Sequence, residues 1–96
     1  MHKHRDACQR LTIAFFQIEA DSYQRITQIV VNQFQLVPVG ELVVGPEERF
    51  QDFQHQRKVI GLEWDFWSGY SVVAKTKSAE KLVRKIATFI EARFQR

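Results

Sequence analysis

Apolar residues recur along this chain with two periods. A repeat at every second position marks strands, and one at every third or fourth marks helices. Residues 10–19 read as a strand, with Leu11, Ile13 and Phe15 on one face and Ala14, Phe16 and Ile18 on the other. Apolar groups on both faces suit a central strand covered on both sides, or a bulge. Asp21 then opens a helix, with Gln24 three residues on in the spacing of a capping box. Tyr23, Ile26, Ile29, Val30, Phe34 and Leu36 share one arc of that helix. The pattern stops before Pro38, which disfavours helical geometry at Val37.

Val39 to Val44 is a short strand candidate closed by Gly45-Pro46. Residues 46–57 fit either element. Pro46-Glu47-Glu48 resembles a first helical turn, and Phe50 and Phe53 stand three apart. The aromatic content and short length favour a strand at about 49–54. From Val59 the alternation is plain: Ile60, Leu62, Trp64 and Phe66 oppose Val59, Gly61, Glu63 and Asp65. Trp67-Ser68-Gly69 turns the chain into Tyr70–Lys75. The spacing predicts an antiparallel hairpin over residues 59–76 with Trp64 and Phe66 facing the core, Trp67 and Tyr70 flanking the turn, and Gly69 supplying a positive φ. Ser78 caps the last helix, and Glu80 lies in its first turn, where the helix dipole favours an acid. Leu82, Val83, Ile86, Ala87, Phe89 and Ile90 fill its apolar arc.

The predicted order is β-α-β-β-β-β-α. Two helices with one apolar stripe each can cover one face of a sheet. The expected fold is therefore α+β, a two-layer sandwich with a mainly antiparallel sheet of four or five strands and two helices. Ninety-six residues make one domain, 1–96, with residues 1–9 a candidate for disorder because they carry no core pattern. No internal repeat, linker or low-complexity tract is visible. The longest apolar runs, about five residues, are far below the roughly 20 needed to span a bilayer, so no membrane contact is expected. Cys8 is the single cysteine, which excludes an internal disulfide and suits a cytoplasmic location.

The net charge of +3 is unevenly spread. Residues 71–96 hold seven basic and two acidic groups. Lys77, Lys81 and Lys85 repeat at helical spacing, with Arg84 and Lys75 nearby. Like charges four apart repel, so the row is a candidate anion or nucleic-acid site. A solvated helix face is the plainer account of it, because no Gly-rich loop or RNA-binding aromatic motif accompanies it.

Catalytic chemistry finds little support. His2, His4 and Cys8 match no structural zinc spacing, so no metal and no cofactor is expected. His55 has no motif partner, and nothing in the sequence positions it against Cys8. Ser68 lies in D-F-W-S-G, which is not a nucleophile elbow. Glu47 and Glu48 read as solvated charge. The chain is expected not to be an enzyme.

The segment L-E-W-D-F-W-S-G-Y, Leu62 to Tyr70, with the amphipathic helix after it, resembles segments of small bacterial proteins without assigned function. Some polymorphic-toxin immunity proteins have a similar size and layout. The resemblance covers about the last 40 residues and implies no active site. It implies a protein-binding, immunity-like or adaptor module. Aromatic rings at a turn beside carboxylates make Asp65, Trp67 and Tyr70 the candidate contact for a protein partner, since Trp and Tyr are enriched in binding hot spots. Their plainer role is to pack on the helix ends. An aromatic sheet with one face or edge incompletely covered also predicts a homodimer.

Overall fold

The computed structural model describes residues 1–95. The class is α+β as expected, but the sheet is larger and the order differs. Seven strands form one sheet: β1 (His2–Arg5), β2 (Leu11–Phe15), β3 (Val37–Pro38), β4 (Val43–Val44), β5 (Glu48–His55), β6 (Lys58–Asp65) and β7 (Gly69–Ala74). Helix α1 (Tyr23–Phe34) follows β2, and α2 (Glu80–Phe94) follows β7. The spatial order is β1-β2-β7-β6-β5-β3, with β4 also on β5, and every pairing is antiparallel.

The two extra strands come from the N-terminal segment, whose sequence carries no strand signal, and from residues 37–44, where one strand is expected and two short ones form. Residues 1–9 are a candidate for disorder on their sequence, yet His2–Arg5 pairs with β2 from Ala14 back to Leu11. All four of its residues are exposed, so backbone pairing at the sheet edge holds it without a buried side chain. The single strand expected at Val39–Val44 is instead two two-residue pieces, one on each side of Gly40. Proline at the second position of β3 costs no ladder bond on an edge strand. Within residues 46–57 the element is a strand, β5, which runs in continuous register with β6 from Glu48–Asp65 to His55–Lys58.

Helix entry also differs from the expected caps. A 3-10 turn at Ala20–Ser22 precedes α1, and another at Lys77–Ala79 precedes α2. Neither Asp21 nor Ser78 forms a side-chain cap; the turns are closed by backbone bonds such as Ser22 N–H to Glu19 O.

Both helices lie on one face of the sheet. Leu11, Ile13 and Phe15 of β2, Tyr70, Val72 and Ala74 of β7, and Ile60 and Leu62 of β6 form the floor of the core. Val30 of α1 and Val83, Ile86 and Ile90 of α2 close it from above. The helices run antiparallel to one another: Phe34 meets Phe89 edge-on with ring centres 5.6 Å apart, and the guanidinium of Arg25 lies over Phe94. On the opposite face, Thr12, Ala14, Ser71 and Val73 are buried by their neighbours although no helix covers them. Lys75 lies across that face, its Nζ 3.0 Å from Glu63 and 3.7 Å from Asp52. No helix among the described residues is long and apolar enough to cross a membrane.

Candidate functional site

The hairpin of β6 and β7 is present as read from the sequence, but its side chains are sorted differently. Asp65 ends β6, and its Oδ1 accepts the backbone N–H groups of Trp67 at 2.9 Å and Ser68 at 2.6 Å. That Asx arrangement supplies the turn with acceptors it otherwise lacks. Gly69 takes φ +68°, and a Cβ there would lie 2.2 Å from the carbonyl oxygen of Phe15. The turn is thus pressed against the end of β2, and only glycine fits. On the other side the N–H of Phe66 donates to Glu47 O at 3.1 Å.

The turn held in this way presents two rings to solvent. Phe66 is 68% exposed and Trp67 is 73% exposed, and they stand edge to face with centres 5.7 Å apart. Phe66 is a correction: period-two counting placed it in the core, but the strand ends at Asp65 and the alternation ends with it. Phe16 is a third exposed ring beside the turn, with His2 against it at 5.3 Å. Sequence reasoning missed Phe16 as a surface residue because it extended β2 beyond Phe15.

Tyr70 is the larger correction. It was grouped with Asp65 and Trp67 as a partner contact, but it is wholly buried under the helices. It is the first inward position of β7, opposite Trp64 and Phe15. Its hydroxyl is 2.6 Å from Thr27 Oγ1, and the hydroxyl of Tyr23 donates to Leu62 O at 2.6 Å. Burial pushes the Tyr23 phenol up to about 12 and the Tyr70 phenol further up, with Thr27 opposing the shift at both. These polar groups are internal glue, since each buried hydroxyl has a partner. Trp64, expected in the core, is only half-buried; its indole N–H donates to Ile18 O at 2.8 Å, and Arg49 stacks over its ring.

The basic residues do not form one row. Lys75 belongs to the helix-free sheet face, where Glu63 and Asp52 neutralise it. Lys77 lies in the 3-10 turn and shares an open basin with Arg5 and Arg10, where Arg5 binds Glu80 at 2.6 Å. The Arg5 guanidinium holds the Glu80 carboxyl below the usual carboxylate range. Lys81, Arg84 and Lys85 share an exposed face of α2 around Thr88, with no ion pair recorded for the three among the described residues.

The remaining polar candidates are scattered. His2 and His4 project from the same side of β1, rings 5.3 Å apart, and Cys8 is exposed in the turn after it. His55 lies on β5, across β2, β7 and β6 from β1, with Nδ1 3.3 Å from Gln35 O. Cys8 and His55 are not brought together. The N–H of Ser68 is engaged by Asp65, and Glu47 and Glu48 are exposed. Among the described residues, no group of three or more His, Cys, Asp or Glu is placed to hold a metal ion. In comparisons with known proteins, no family model, curated protein or solved structure matches the chain.

Proposed function

We propose that the chain is a non-enzymatic protein-binding module of a bacterial cytoplasm, immunity-like or adaptor-like, whose contact is centred on Trp67 and Phe66 and framed by Asp65. The supporting observation is the fixed presentation of two large exposed rings at a turn. A minimal hairpin loop would use Asn or Gly there. Rings ordered in advance lose little entropy on binding, whereas exposed lysines lose more. An exposed, unpaired Cys8 suits a reducing compartment.

The test is capture from a bacterial lysate with the wild type, Trp67→Ala, and the Lys81→Ala/Lys85→Ala double variant, each first checked for native circular dichroism. Trp67→Ala should lose the captured protein, and the lysine pair should retain it. The opposite pattern overturns the hairpin reading in favour of an anion or nucleic-acid binder on α2. The grouping of Lys81, Arg84 and Lys85 favours that second reading, and binding by counterion release would then weaken steeply with salt.

A homodimer is also proposed, on a separate observation. Val37, Val39, Leu42, Val43 and Val44 are each between 43% and 60% exposed along one edge of the sheet, and exposed apolar edges tend to pair with another chain.

A further inference from the structure

Helix α2 packs on β2 and β7, and α1 packs on β6 and on α2. This leaves the inward row of β5, at the edge of the helical layer, without a helix above it. The connection from Leu36 to Val44 passes there instead. Its side chains are too few to fill the gap, and a cavity of about 330 Å³ remains between α1, β5 and the connection. Tyr23, Thr27 and Phe53, all buried, line it, with Val31 on the α1 side and Pro38 and Leu42 above. That volume is at the small end of the range for ligand sites, roughly 300–1,000 Å³.

The chemistry of this lining differs from that of the concavities at the starts of α1 and α2. The basin near α2 is lined by Arg5, Arg10, Lys75, Lys77 and Glu80, and the hollow at the start of α1 by Glu19, Asp21 and Arg25. The cavity beneath the connection has no charged side chain in its lining. Its polar groups are hydroxyls and the amides of Gln24, Gln28 and Gln51. A charged guest would lose hydration there and find no counter-charge. The Gln51 amide N–H donates to Gly40 O at 2.9 Å, and that of Gln28 donates to Asn32 at 3.2 Å. Each of these amides keeps its carbonyl acceptor and its second N–H, so a guest can be met by either. The hydroxyls of Tyr23, Thr27 and Tyr70 are already bonded internally.

The roof is lightly held. β3 and β4 contribute two paired residues each, and between them the recorded ties to β5 are Val39 N–H to Asp52 O and Gln51 to Gly40. Segments with few buried contacts open at low free energy, which provides an entry route.

We propose that this cavity is a binding site for a neutral, largely apolar small molecule carrying one hydrogen-bonding group, such as a phenol, an indole or an alcohol. The proposal is independent of the hairpin. It is tested by titrating the full chain with 2-naphthol and, in parallel, with its anionic relative 2-naphthoate, following backbone amide shifts by NMR. The expected result is saturable binding of 2-naphthol with shifts confined to α1, residues 37–44 and β5, and binding of 2-naphthoate weaker by at least about tenfold, or about 1.4 kcal/mol. Val31→Phe, which fills the cavity, should weaken 2-naphthol by a similar factor. Gln28→Trp occupies the rim from an exposed helix position and gives the same test if Val31→Phe does not fold. No saturable binding, equal binding of both probes, shifts centred on Phe66 and Trp67, or full affinity in the folded filling variant would each overturn the proposal.

Discussion

At the scale of single residues, the most consequential feature is a buried polar contact that the sequence reading placed at the surface. Tyr70 sits at the turn end of a strand, where period-two logic leaves burial undecided, and its ring faces inward beneath Thr27. Thr27 lies on the buried side of α1 between Tyr23 and Val30, but as a polar residue it falls outside the apolar arc read from the sequence, and its partner is not legible there either. The contact makes two expectations. Tyr70→Phe leaves the Thr27 hydroxyl buried without a partner and should cost about 1–3 kcal/mol in urea unfolding. Adding Thr27→Val to Tyr70→Phe should recover part of that loss, because two apolar groups of matching shape replace both halves of the bond. A double variant less stable than Tyr70→Phe alone would refute this account. Alkaline pH probes the same groups. The folded state holds Tyr23 near 12 and Tyr70 above its usual value, whereas both phenols ionise near about 10 when unfolded. Raised folded values favour the neutral form, so this contribution to stability is intact below about pH 10 and declines as pH rises toward 12. The urea midpoint should fall between about pH 10 and pH 12, and fall less in the Tyr70→Phe variant.

At the scale of elements, the strongly periodic pieces were the legible ones. The β6–β7 hairpin and α2 follow from their alternation and arc, and α1 is right in type and nearly right in extent. The misses share a cause: each is an element with no amphipathic signature. β1 buries nothing, and β3 and β4 are two residues each, so only backbone pairing defines them. The ends of elements failed for a related reason. Phe16 and Phe66 continue an apolar pattern beyond the point where the strand stops, and the sequence does not mark that the chain has turned. Asp65 is what stops β6, through its two bonds to the turn. Asp65→Ala should therefore loosen the tip more than it destabilises the protein. The cost should be about 1 kcal/mol, while the amides of Trp67 and Ser68 should exchange with solvent faster and the rest of the sheet should not. If ordered rings are what a partner recognises, this variant should weaken capture although both rings remain. Unchanged exchange at the tip would show that packing against Phe15, not the Asx bonds, fixes it.

At the scale of the whole molecule, the fold contains one unit twice. β2, a 3-10 turn and α1 match β7, a 3-10 turn and α2, laid side by side and antiparallel. Tyr23, Ile26, Thr27 and Val30 occupy the buried positions that Val83, Ile86, Ala87 and Ile90 occupy in the second unit. No repeat was readable, because burial is shared between the two helices while side-chain identity is not. The duplication places the two helices over the middle of the sheet, and what the chain adds outside it, β3 to β5, extends beyond their cover. That excess explains why the apolar edge lies at residues 37–44 and not on the helix-free face, whose centre is already closed by small residues and the Lys75 ion cluster. A homodimer is therefore expected to pair at that edge. A stable interface needs about 800 Å² per partner, roughly an eighth of this chain's 6064 Å² of accessible surface, so the edge must be joined by neighbouring residues to suffice. Light scattering on the purified chain should give about twice its 11.3 kDa. Val44→Lys, at a residue 60% exposed and outside the core, should return it to the monomer mass without changing its circular dichroism. A monomer mass for the wild type at high concentration would refute self-association. A dimer that survives Val44→Lys would place the interface elsewhere, with the ring-bearing end of the sheet the next surface to vary.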